Sequence, residues 1–123
     1  MQSTSELLEQ HLEAFTERDL DKMMDTYSQD AVMINEEDEY IGKEQIRSEF
    51  ERLFDVFSES DLTESGRILS KVVDDYAYIV WSAETPEWLF PHVSATFVIK
   101  SGRIIFQTMS GESTSKEELL SLR

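Results

Sequence analysis

The chain of 123 residues contains no cysteine, which excludes disulfides, thiol nucleophiles and thiolate-bound zinc. It also lacks any apolar run of the roughly 18 residues that a membrane-spanning helix requires. The start, MQSTSELLEQHLE, has no basic stretch ahead of an apolar core, so it does not read as a secretory signal, and a cytoplasmic location is the default expectation. Positive charge is scarce: 11 Lys and Arg face 26 Asp and Glu, for a net charge of −15. Such a surface repels phosphate backbones and anionic membranes, which sets nucleic acid and membrane partners aside. Acidity of this degree serves solubility first. Its functional counterpart would be a cationic partner.

What is present is a core. The composition is 40% hydrophobic and 11% aromatic, too apolar for a disordered chain. Leu8, His11, Leu12 and Phe15 recur at i, i+3, i+4 and i+7, one face of a helix from about Ser5 to Arg18. Ser3 and Glu6 fit a capping box ahead of it. Asp19 is placed to cap a second helix that buries Leu20, Met23, Met24 and Tyr27. A short strand, Ala31 to Asn35, and a polar loop, NEEDEYIG, precede a third helix starting near Lys43. Ile46, Phe50, Leu53, Phe54 and Phe57 stripe that helix. Beyond SESDLTESG the texture changes to β-branched and aromatic runs: RILSKVV, YAYIVWSAE, LFPHVSATFVIK and RIIFQTMSG. Asp74-Asp75 and Ser101-Gly102 are hairpin turns, ETPEW is a loop, and SKEELLSLR reads as a short terminal helix. No repeat or linker divides the chain. We expect a single α+β domain over 1–123, with helices over about 5–57 and a meander of antiparallel strands mainly over 61–111.

The strings RDLDKMMDTYSQDAVM, YIGKEQIRSEF, YIVWSAETPE and TFVIKSGRIIFQT, in that order, resemble the SnoaL-like branch of the nuclear-transport-factor-2-like superfamily. The resemblance covers most of the chain. It implies a cone: a strongly curved antiparallel sheet wrapped around N-terminal helices, with an internal cavity. Ketosteroid isomerases, polyketide cyclases and dehydratases share this scaffold, so the fold alone does not give the activity.

Strand alternation and the KSG turn select the wall of that cavity. A three-residue loop with Gly102 as the bulge residue would pair Ile99 with Arg103, Phe97 with Ile105 and Ala95 with Gln107. A two-residue loop would pair Lys100 with Arg103 instead. We prefer the first, which puts Val93, Ala95, Phe97, Ile105, Gln107 and Met109 on one face, and His92, Ser94 and Thr96 on the other. The resemblance makes the first set the inward one. The positions that a ketosteroid isomerase uses for its base and its two enolate-holding acids match Asn35, His11 and Ala95. Asn35 takes up no proton and Ala95 donates no hydrogen bond, which argues against isomerase chemistry on this scaffold.

The expected pocket is therefore aromatic: Phe15, Tyr27, Met33, Phe54, Trp81, Phe97 and Met109, with Asn35 and Gln107 as polar points and Trp88 near the mouth. His11 is the candidate catalytic group, neutral at pH 7 because burial disfavours the imidazolium. No metal site is expected: the two His fall on opposite faces, and the run Glu36 to Glu39 lacks the ligand spacing of a calcium loop. Nor is there a phosphate-binding glycine loop or a nucleophile elbow, and no cofactor is expected. The function that follows is the binding of a small apolar carbonyl ligand, with weak isomerase, cyclase or dehydratase chemistry as its extension. The alternative is a non-catalytic interaction module with a vestigial cavity. A homodimer through the apolar outer sheet face is expected in either case.

Overall fold

The computed structural model describes residues 2–56, 64–84 and 87–117. Phe57, Thr85 and Pro86 of the ETPEW loop, and the tail beyond Glu117 lie outside the described residues.

Helix α1 (Thr4–Glu17) opens on the expected capping box: the Ser3 hydroxyl accepts from Glu6 N at 3.2 Å, and Glu6 Oε1 accepts from Ser3 N at 3.3 Å. It ends where Arg18 turns left-handed (φ 56°). Asp19 caps α2 (Leu20–Met24) by accepting from Lys22 N at 3.1 Å. The sequence pattern carries α2 on to Tyr27, but the helix stops earlier. The Thr26 hydroxyl donates to the Met23 carbonyl at 2.6 Å and satisfies the helix end. Tyr27 instead begins strand β1 (Tyr27–Ile34), which is longer than the expected one. Strand β2 (Glu39–Ile41) lies inside the segment read as loop. Helix α3 (Lys43–Val56) buries Ile46 and Phe50 completely or nearly so.

Strands β3 (Glu64–Val73), β4 (Tyr76–Glu84), β5 (Trp88–Lys100) and β6 (Arg103–Gly111) follow, and β7 (Thr114–Ser115) pairs with β5. The sheet order is β2-β1-β6-β5-β4-β3. The sheet is mixed rather than wholly antiparallel, because β1 runs parallel to β6. The sequence could not show this: β1 and β6 are brought together by the long excursion through α3 and the β3–β5 meander, not by a turn.

Neither register weighed for the last hairpin holds throughout. Ser101 (φ 52°) and Gly102 (φ 71°) form a two-residue turn with Lys100 opposite Arg103 and Ile99 opposite Ile104. The pairing then slips at Ile105, so Val98 faces Phe106 and Phe97 faces Gln107. The extra residue sits in the strand as a bulge, not in the turn. Ile104 is consequently fully buried, whereas the alternation pattern points it outward. Further slips fall between Trp81 and Ala83 and between Arg67 and Leu69. Bulges bend the strands that carry them, and these curve the sheet around α1 and α3.

The inner face carries a row running across the sheet: Val72, Ala77, Phe97, Gln107, Met33 and Tyr40. The outer face carries another: Val73, Tyr76, Val98, Phe106, Val32 and Ile41. Among the described residues no helix is long and apolar enough to cross a membrane.

Candidate functional site

Among the described residues, two cavities open on the concave side of the sheet. The first, of about 360 Å³, is lined by His11, Phe15, Phe54, Trp81, Phe97, Gln107 and Met109 among others. The second, of about 330 Å³, is lined by Asn35, Glu49, Arg52, Trp81, Trp88 and Phe90 among others. Phe15, Trp81 and Met109 belong to both and form the wall between them. Phe15 packs on Trp81 with ring centroids 5.8 Å apart.

The chemistry of the first chamber begins at Thr26. Its hydroxyl hydrogen goes to the Met23 carbonyl, so its oxygen is an acceptor toward His11 Nδ1, 3.1 Å away. His11 must therefore carry its hydrogen on Nδ1, leaving the lone pair of Nε2 for the chamber. The ring is 3% exposed and edges against Tyr27, Phe97 and Phe50 at 5.5, 5.3 and 6.4 Å between centroids. This burial, with no carboxylate beside the ring to compensate, pushes the His11 pKa down to about 3.

Gln107 is fixed in the same way. Tyr27 Oη donates to Gln107 Oε1, leaving the amide NH2 as the free polarity of that side chain. Burial raises the Tyr27 hydroxyl well above its usual pKa, so it stays protonated and remains a donor. Tyr27 thus stands behind the wall as the residue that orients Gln107. Met33 is likewise fully buried in the core beside Gln107. Neither lines either cavity, in contrast to the sequence expectation: Tyr27 sits opposite Ile104 and Met33 beside Gln107, and both are buried in the core.

Asn35 is not with His11 and Gln107. It lines the second chamber, where its Oδ1 accepts from Glu37 N and Asp38 N, both at 2.9 Å, and its Nδ2 donates to Glu49 Oε2 at 3.3 Å. Glu49 is a buried carboxylate that sequence reasoning missed. Tyr40 Oη donates to its Oε2 at 2.5 Å and Arg52 Nε to its Oε1 at 2.6 Å. Burial works to raise the Glu49 pKa, but the hydrogen bonds from Arg52, Tyr40 and Asn35 outweigh it and hold the carboxylate below its ordinary range. A charge so firmly held is a structural anchor rather than a base. The signal available in the sequence was the i, i+3 spacing of Glu49 and Arg52 on α3, beside the buried Phe50.

Trp88 stands at the mouth of the second chamber, 39% exposed, and His92 is exposed. Among the described residues no group of three or more His, Asp or Glu is placed to hold a metal ion.

The SnoaL-like domain model matches residues 8–107. Solved structures agree with the fold. A Burkholderia xenovorans NTF-2-like protein of unknown function superposes with a TM-score of 0.72 at 14% identity, covering 89% of this chain and 82% of its own. A Sinorhizobium meliloti protein proposed to be a polyketide cyclase gives 0.70 at 21% identity, over 89% and 99% of the two chains. A Kribbella flavida protein proposed to be a ketosteroid isomerase gives 0.73 at 8% identity, over 89% and 77%. No curated protein sequence matches. With a domain model matching most of its length, the chain belongs to the SnoaL-like family, and its helices and curved mixed sheet share their fold with NTF2-like proteins.

Proposed function

We propose that this protein binds a small, mainly apolar molecule carrying a carbonyl and a hydroxyl group in the His11–Gln107 chamber. One observation carries this reading: two polar side chains in the chamber wall, His11 and Gln107, have their polarity fixed from behind. Thr26 leaves His11 only an acceptor, and Tyr27 leaves Gln107 only a donor. A ligand carbonyl is matched by Gln107 and a ligand hydroxyl by His11. Most of the rest of the wall is aromatic or aliphatic, with Thr16, Arg18, Arg67 and Ser82 as its other polar members, a composition suited to a mainly apolar ligand oriented by a few polar contacts.

The same geometry favours binding over turnover. A carbonyl needs a donor, and the one N–H of His11 is engaged with Thr26. A base whose conjugate acid has a pKa of about 3 also has little tendency to take up a proton at neutral pH. Any isomerase-, cyclase- or dehydratase-type activity is therefore weak.

Titration of steroid-like and polyketide-like hydroxyketones against tryptophan fluorescence tests the reading, since Trp81 is a wall of the chamber. Saturable quenching at micromolar concentrations is expected. Gln107→Leu should weaken ketones selectively, and His11→Phe should weaken alcohols selectively. Absence of binding below millimolar across the panel would leave the second reading, a dimeric interaction module, which the apolar row on the outer face supports.

A further inference from the structure

The second chamber differs from the first in charge as well as in shape. Its wall includes four aromatic residues, Phe15, Trp81, Trp88 and Phe90. Its ionised side chains are Glu36, Glu37, Glu49 and Arg52. Glu49 and Arg52 neutralise one another at 2.6 Å. What remains is the pair Glu36 and Glu37, both exposed. The turn around Asn35 fixes their backbone, and Glu36 Oε1 accepts from Gly111 N at 3.2 Å across the opening. Gly111 lies close against β5. A Cβ there would come within 2.9 Å of Val93 Cγ2 and 3.0 Å of His92 O.

From this combination we propose that the second chamber binds an organic ammonium ion, its cationic head against the aromatic wall and its charge balanced by Glu36 and Glu37. Aromatic faces attract cations through their quadrupole, most strongly where water is excluded, and tryptophan does so best. Carboxylates at the rim supply the long-range attraction without requiring the ligand to shed all its water. A hydrated metal ion would gain nothing from the aromatic wall. An anion would meet two uncompensated carboxylates before it reached Arg52, whose Nε is already engaged by Glu49. The site shares the wall of Phe15, Trp81 and Met109 with the His11–Gln107 chamber but none of its polar groups, so the two proposals are tested by different variants.

The test uses the full chain and three probes followed by tryptophan fluorescence and calorimetry: choline, its uncharged carbon isostere dimethylbutanol, and benzoate. Choline should bind saturably, one per chain, and dimethylbutanol about tenfold or more weaker. The double variant Glu36→Gln/Glu37→Gln should lose about tenfold in choline affinity with an unchanged melting temperature. Trp88→Leu should lose a similar factor while leaving the charge intact. Asp30→Asn/Glu44→Gln removes the same charge from exposed positions outside the chamber and should change choline affinity by no more than about twofold. Equal binding of dimethylbutanol and choline overturns the proposal, as does an equal loss in the Asp30/Glu44 control, which would reduce the effect to net charge. Tighter binding of benzoate than choline would overturn it in favour of Arg52 as an anion site.

Discussion

His11 shows how a single side chain links folding to pH. Its unfolded pKa is near 6.5 and its folded pKa is about 3, so between these values the unfolded chain holds a proton that the folded chain refuses. Stability is therefore complete above pH 6.5 and is lost as the pH falls, by about 1.4 kcal/mol per pH unit once below that value. Carboxylates contribute their own acid limb only at lower pH, so the window from about pH 6.5 to 5 isolates the histidine. Urea unfolding across that window should show a clear slope in the parent and a nearly flat line in His11→Asn. Equal slopes would mean that the ring is not buried as described. Tyr27→Phe probes the neighbouring pair. It strips Gln107 Oε1 of its donor in a buried setting and should cost about 1–3 kcal/mol, read from the urea midpoint.

At the scale of elements, the periodic parts were legible and the interruptions were not. Helix α1 followed from the spacing of Leu8, His11, Leu12 and Phe15, and its cap from Ser3 and Glu6. The stripe on α3 followed from Ile46, Phe50 and Leu53 in the same way. Tyr27 was misread because it continues the spacing set by Met23 and Met24. The interruption comes from a side chain, the Thr26 hydroxyl, that a hydrophobic pattern does not register. Likewise the inward placement of Gln107 was expected, but through the wrong turn: a bulge, unlike a turn, leaves no glycine to announce it. The division into two chambers was invisible, since it depends on Phe15 of α1 meeting Trp81 of β4, which are far apart in the chain. The core of α3 is the element whose loss should cost most. Phe50 is 1% exposed and touches His11, Phe15, Tyr27 and Phe54, so Phe50→Ala should destabilise by about 3–5 kcal/mol in thermal or urea unfolding.

For the whole molecule, the outer sheet face leads to a prediction about assembly. The row Val73, Tyr76, Val98, Phe106, Val32 and Ile41 crosses six strands without a charge, on a chain whose net charge is −15. The next row begins at Lys71 and ends at Glu39. Two copies packed face to face about a two-fold axis parallel to the strands bring the Lys71 end of one row to the Glu39 end of the other, a self-complementary arrangement. We expect a homodimer at micromolar concentration, about twice the 14.3 kDa of the monomer by light scattering. Val98→Glu, at the middle of the row, should shift it to monomer. A monomeric parent would refute the interface.

The bulge at Ile105 separates two properties that strands usually tie together. Deleting Ile105 would leave Lys100 opposite Arg103 and Ile99 opposite Ile104, and would still bring Phe106 to Val98 and Gln107 to Phe97. Every wall residue would keep its face, while the strand would lose its bend. Gain or loss of one codon at this point is thus a route by which a lineage can widen or narrow its cavity without replacing any residue that touches the ligand. Relatives of different cavity size would then be expected to differ here in length before they differ in lining.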